Sequence, residues 1–183
     1  VSLQQGDATE VIKFGEGTRE RLRRRLENPA EVLGFQVGWP TWDRTTQGYC
    51  SNDLTVFVGE SKTGKSTLLL NHAKILSVDN GLAGLYIDTE METEEQEDRL
   101  ISMISGVPFE EIRNGMFGQD TEYGSKEDKV RAVEEATTKL EASPFYHVYV
   151  PAFTTDKVTA LVRRYKTQYN IQYFVFDYIK LPE

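Results

Sequence analysis

Between Val58 and Thr67 the chain reads VGESKTGKST, and this stretch limits the fold more sharply than any other. Gly59, Gly64, Lys65 and Ser66 meet the spacing G-x-x-x-x-G-K-[ST]. Glycines at both ends let the backbone of Glu60, Ser61, Lys62 and Thr63 curl until several N–H groups point inward, a cradle for phosphate. The helix that follows would aim its positive dipole end at the same point. In such a loop Lys65 supplies a point charge for the β and γ phosphates, the Ser66 hydroxyl suits Mg²⁺, and Thr67 closes the binding run. The β-branched and aromatic run LTVFV (54–58) before the loop is expected to be a strand, and STLLLNHAKILSVDNG after it a helix closed at Asn80-Gly81.

The rest of the chain alternates in the same way. AGLYIDTE (83–90), FYHVYV (145–150) and QYFVFD (172–177) read as further strands. Between them, Thr93 with Gln96 reads as a capping box for a helix running to Ser105, and PFEEIRNG (108–115) as a short helix. Residues 118–125 read as a polar loop, Ser125 opens a helix to about Ala142, and Thr154 or Thr155 caps one to about Tyr169. Strands that alternate with helices predict an α/β fold with a parallel sheet covered on both faces. Upstream, residues 1–17 are a polar arm. Thr18 is the expected N-cap of a short helix that carries Leu22 and Leu26 and stops before Pro29, and residues 30–53 read as loop.

Two more acids fall where this sheet would place chemistry. Asp177 closes an apolar strand at the carboxyl rim, on the side of the phosphate loop, where a magnesium-holding carboxylate is expected. Glu90 ends another strand on that rim and could deprotonate water for attack on a γ-phosphate. Asp88 and Glu92 share its face by strand alternation, so the pattern leaves all three in play. His72, His147 and the single cysteine, Cys50, read as packed side chains, with no Cys or His spacing for a metal. A net charge of −8 argues against a broad basic surface for nucleic acid, and the run Arg21, Arg23, Arg24, Arg25 reads as a solvated helix face or a contact for acidic protein. A lone cysteine makes the cytosol the default compartment, and no apolar run approaches the roughly 20 residues of a membrane span.

GWPTWDRTTQGYCSNDLTVFVGESKTGKST resembles the entry to the core of RecA-like ATPases: a glycine, a short helix with Asp43, Gly48, then Asp53-Leu54 leading into the phosphate-loop strand. YIDTEMETEEQEDRLISMISGVPFEEIRNGMF and FVFDYIKL resemble the DnaB-like replicative helicases within that superfamily. The matching features are the Glu90-Met91 pair, Arg99, the Ile112-Arg113-x-Gly115 turn and the strand ending in Asp177-Tyr178. The resemblance covers residues 35–183 and sets the expected organisation: an arm and linker helix over 1–33, then a RecA-like P-loop core over 34–183.

It implies Glu90 as the catalytic carboxylate acting with Lys65, Gly59–Thr67 around the nucleotide, and Mg²⁺ held by Ser66 and Asp177. It further implies ATP as the nucleotide and a ring, usually a hexamer, translocating on single-stranded DNA in the cytoplasm of a bacterial or phage-infected cell, with a primase or loader as partners. Among RecA-like sheets the strand after the Asp177 strand lies between it and the phosphate-loop strand. The elements that in this family supply DNA loops, a sensor glutamine and an arginine finger also come later. The expectation is therefore a piece of a longer motor, with little ATP turnover and no unwinding on its own. Two other readings stand beside this one: a RecA-type recombinase or related RecA-like ATPase, and a nucleotide-binding interaction module without motor parts.

Overall fold

The computed structural model describes residues 13–178. Ile179 and Leu181, at the end of the FVFDYIKL stretch, lie outside them, as does most of the arm. The chain divides into two compact units on either side of the Asp53–Leu54 junction.

In the first unit, helix α1 (Thr18–Glu27) has no buried residue. Its arginines pair along the helix, Arg23 with Glu27 and Arg24 with Glu20, contacts that add little at such exposure. Thr18 is not the N-cap: Gly17 takes that place at φ 68°, a left-handed conformation that a glycine adopts freely. The loop expected over 30–53 holds more order than composition suggests. Pro40 begins helix α2 (Pro40–Thr46), the short helix with Asp43 that the family resemblance implied. Asp43 is buried and accepts the Val37 N–H at 2.9 Å, while Phe35 and Tyr49 bridge antiparallel.

The second unit is a parallel sheet of three strands in the order β2-β1-β3, with β1 at Gly84–Asp88, β2 at Phe145–Tyr149 and β3 at Tyr173–Asp177. β1 is the central strand and is buried throughout. Its alternate side chains feed two cores. Leu85 and Ile87 meet Val150, Ile171 and the apolar stripe of α7 (Thr155–Tyr169). Tyr86 packs on the other face with Leu70 and Ala73 of α3 (Lys65–Lys74) and Leu100 of α4 (Thr93–Ser105). Helices α5 (Phe109–Asn114) and α6 (Lys126–Ala142) complete that layer. Ser125 and Thr154 cap α6 and α7 through bonds from Asp128 N–H and Lys157 N–H.

Several expectations change. The run 54–58 carries no ladder, and Leu54, Val56 and Val58 are 87%, 63% and 92% exposed. A strand exists only by pairing, and among the described residues nothing pairs with it or with the outer edge of β3. Helix α3 passes at Ile75 into a π-helical turn that ends at Asp79, before Gly81 at φ 70°. The capping box at α4 does not form. Glu92 is the N-cap without a side-chain bond, because Thr93 and Gln96 turn toward the sheet.

Gly84 illustrates how tightly the layers meet. The Tyr173 ring lies directly over it, its hydroxyl reaching Ser77 Oγ at 2.6 Å and the Ala73 carbonyl at 3.0 Å, so a methyl on Gly84 would overlap the ring. Gly84→Ala should cost about 1–3 kcal/mol and lower the thermal midpoint by roughly 3–10 °C. Gly118→Ala, where a methyl meets nothing within 4 Å, should leave the midpoint unchanged. Differential scanning calorimetry of both variants checks this.

Candidate functional site

The loop after Val58 folds on itself before α3 begins. Lys62 (φ 64°) and Gly64 (φ 88°) take the left-handed conformation that turns the chain into the helix. Thr63 Oγ1 donates to the Glu60 carbonyl at 2.8 Å, and a methyl on Gly59 would crowd that hydroxyl at 3.0 Å. The Lys65 ammonium donates to the carbonyls of Gly59, at 2.9 Å, and Glu60. The first helical bond of α3 runs from Leu68 N–H to the Gly64 carbonyl, so the N–H groups of Lys65, Ser66 and Thr67 precede the intrahelical ladder.

The parallel register sets the rest. Asp88 on β1 lies beside Asp177 on β3, and both strands end there. Asp177 is 2% exposed. Tyr86 donates its hydroxyl to Asp177 Oδ2 at 2.8 Å, and the Ser66 hydroxyl lies near enough to the same carboxylate to favour its charged form. Ser66 and Asp177, far apart in the chain, are thus brought near each other. Burial pushes Asp177 above the ordinary carboxylate range. The hydroxyls of Tyr86 and Ser66 oppose the shift, and the charges of Asp88 and Glu90 add to it. Burial, then the Asp177 charge, pushes the Tyr86 phenol upward, so it stays a donor.

The three acids left open by alternation occupy different surroundings. Asp88 is 1% exposed, and both its oxygens are engaged. Oδ1 accepts the Glu90 and Met91 N–H groups, each at 2.8 Å, and Oδ2 accepts Gln96 Nε2–H. Glu92 begins α4 on the surface. Glu90 is exposed at the rim, its Oε1 accepting the Tyr178 hydroxyl at 3.0 Å. His147 stacks on Tyr86, with centroids 6.2 Å apart, and its Nδ1 meets Thr93 Oγ1 at 2.9 Å. His72 is buried edge-on to Phe57, and Cys50 is half-buried with its thiol near the Gln47 carbonyl.

Sequence reasoning missed Tyr86, Tyr178 and Gln96. Tyr178 had a signal in its position next to Asp177. Tyr86 and Gln96 had none, since a core tyrosine and a helix-start glutamine look ordinary until the strands are registered.

A parallel sheet with helices on both faces and a phosphate-type loop at a helix N-terminus define the RecA-like P-loop architecture. Residues 34–183 match the family described as "DnaB-like helicase C terminal domain", and the chain belongs to that family. It is 25% identical over 160 residues to the replicative DNA helicase DnaB of Treponema pallidum (strain Nichols), covering 87% of this chain and 35% of that protein. With the replicative DNA helicase DnaC of Bacillus subtilis (strain 168) it shares 21% over 164 residues, 90% of this chain and 34% of the relative. The chain therefore spans about a third of the length of these relatives. Among solved structures, the "ATPase Domain of G40P" superposes with a TM-score of 0.78 at 17% identity, over 93% of this chain and 58% of that one. A DnaB-like replicative helicase, described with its interactions with primase, superposes at 0.73 with 16% identity, over 93% and 42%.

Because the Asp177 carboxyl is raised above its ordinary value of 3.8, its favourable contribution is present below that value and is lost as pH climbs through the folded one. At neutral pH the buried charge is a cost. Asp177→Asn keeps an oxygen for Tyr86 and removes the charge. Its thermal midpoint should exceed wild type at pH 7.5, and the difference should close as pH falls to about 4. A pH series of thermal melts tests the sign.

Proposed function

We propose that this chain is the ATP-binding and hydrolysing core of a ring-forming replicative helicase that moves on single-stranded DNA. The placement of Ser66 near Asp177 carries the reading. It brings the phosphate-type loop to the carboxyl end of β3, with two hard oxygen donors of the kind Mg²⁺ takes near each other. The loop's own geometry supports a triphosphate: a methyl on Gly59 would crowd Thr63 Oγ1, and three N–H groups stand at the mouth of α3. Bound Mg²⁺ would neutralise charge between the β and γ phosphates.

The chain's own residues would divide the work. The N–H groups of Gly59–Thr67 bind phosphate oxygens, and Lys65 exchanges its loop carbonyls for them. Ser66 and Asp177 hold the ion. Glu90 takes the proton of the attacking water. Asp88 is a poor candidate for that role, because both its oxygens already accept bonds in the protein interior. Glu90 stands at the rim, with Tyr178 orienting one oxygen.

Lys65→Ala should weaken Mg-ATP binding by roughly 10- to 100-fold, the loss of a charge-assisted contact. In a full-length context, Glu90→Gln should bind as wild type and hydrolyse at least ~10²-fold more slowly. Calorimetric titration and single-turnover hydrolysis separate the two. Equal affinity for Lys65→Ala and wild type would remove the nucleotide site.

The relatives' names support the helicase role, and a homo-oligomer, hexameric in this family, with single-stranded DNA and a primase or loader as partners follows on the same reading. Helix α1 is consistent with assembly. Leu22 and Leu26 are 54% and 82% exposed on a stripe too narrow to hold a ten-residue helix by itself. A chain lacking residues 1–28 should sediment as a smaller species and remain folded. An unchanged oligomer mass would separate α1 from assembly.

A further inference from the structure

We propose that Gln96 is a positioning residue for Glu90, acting through Asp88: the buried pair clamps the turn that carries the proposed catalytic carboxylate. The inference rests on the reading of Glu90 given above. The turn from Glu90 to Glu92 hangs between two anchored points. Before it, Asp88 belongs to the central strand and is 1% exposed. After it, α4 is pinned to the sheet twice: Thr93 bonds His147 on β2 at 2.9 Å, and Gln96 bonds Asp88 on β1. Asp88 Oδ1 accepts the N–H groups of Glu90 and Met91, so the backbone at Glu90 is fixed by the carboxylate that Gln96 holds from the other side. Rotation of the Asp88 side chain would release both N–H groups, and the Gln96 bond to Oδ2 opposes that rotation.

Capping does not account for the glutamine. A capping residue would reach back to the N-cap, whereas Gln96 reaches inward and is 2% exposed. Its orientation is settled chemically, because a carboxylate oxygen accepts and only the amide nitrogen donates. Its Oε1 is then buried with no hydrogen-bond partner among the described residues. An apolar side chain of similar size would avoid that unmet acceptor but would leave Asp88 Oδ2 without its donor. The amide is retained at a helix position where its visible partner is the carboxylate that sets the Glu90 turn.

The test uses the whole chain and compares Asp88→Asn with the double variant Asp88→Asn/Gln96→Leu. In the single variant Asn Oδ1 still accepts the two N–H groups, and a turned Gln96 amide accepts from Asn Nδ2. In the double variant the link to α4 is gone with no buried charge left behind, so the fold survives. Amide exchange by NMR should be at wild-type rate at Glu90 and Met91 in Asp88→Asn. It should be at least about tenfold faster at those two sites in the double variant, with Leu85 and Ile87 unchanged. The double variant should also have a kcat roughly 10- to 100-fold below that of Asp88→Asn, at the same nucleotide affinity. Wild-type exchange in the double variant would overturn the clamp, as would acceleration in Asp88→Asn alone, which would assign the effect to charge. Undiminished turnover in Glu90→Gln would instead overturn the reading of Glu90, and with it the use of the clamp in hydrolysis.

Discussion

The second unit is organised around two carboxylates that the parallel register forces together. Asp88 and Asp177 are partners at the last rung of the β1–β3 ladder, and both are almost fully buried. Like charges this close in a low-dielectric setting repel, and each has lost its water. The pair persists because donors gather around it: Tyr86 at Asp177, with the Ser66 hydroxyl nearby, and Gln96 with two backbone N–H groups at Asp88. Those donors come from β1, α3, α4 and the Glu90 turn. Four separate pieces of chain are thereby brought to one end of the sheet.

The rim and the core make opposite demands on the same strand. Leu85 and Ile87 face α7 in a mainly apolar cluster, while Tyr86 and Asp88 face α3 and α4. Tyr86 serves both, its ring in the core with Leu70 and Leu100 and its hydroxyl at the charged end. An aromatic body with a polar tip suits that boundary. Away from the rim, a second buried charge is handled in a different way. Lys129 of α6 is neutralised by Glu111 of α5, with Thr121 shared between them, a closed set that uses nothing from the sheet. One arrangement is sealed and the other opens onto the phosphate-type loop. That contrast is why the rim is read as the working site.

The run 54–58 shows that pattern and pairing are separate requirements. LTVFV has the composition of a strand and leads into the loop, yet it makes no ladder among the described residues. A strand's hydrogen bonds belong to its neighbour as much as to itself. The same holds for the outer edge of β3. The geometry of Gly59–Thr67 survives without that ladder because it is set locally, by glycine conformations, the Thr63 bond and the start of α3.

By itself, the sequence determined what depends on near neighbours in the chain. The phosphate-type loop, most of the alternation of helix and strand, the caps at Ser125 and Thr154 and the acid that closes β3 all follow from local sterics and periodicity. The family motifs read in order along the chain pointed to the group that the comparison then showed. The tertiary structure decided what depends on register. The pattern left Asp88, Glu90 and Glu92 equivalent. Only the ladder ending at Asp88, with Asp177 beside it and Gln96 above it, gives each of the three acids a different environment. The false capping box has the same origin. Thr93 and Gln96 carry the local signal for a cap, but a buried carboxylate and a histidine on the sheet offered them bonds in the interior, where an unmet polar group costs more than an open helix end in water.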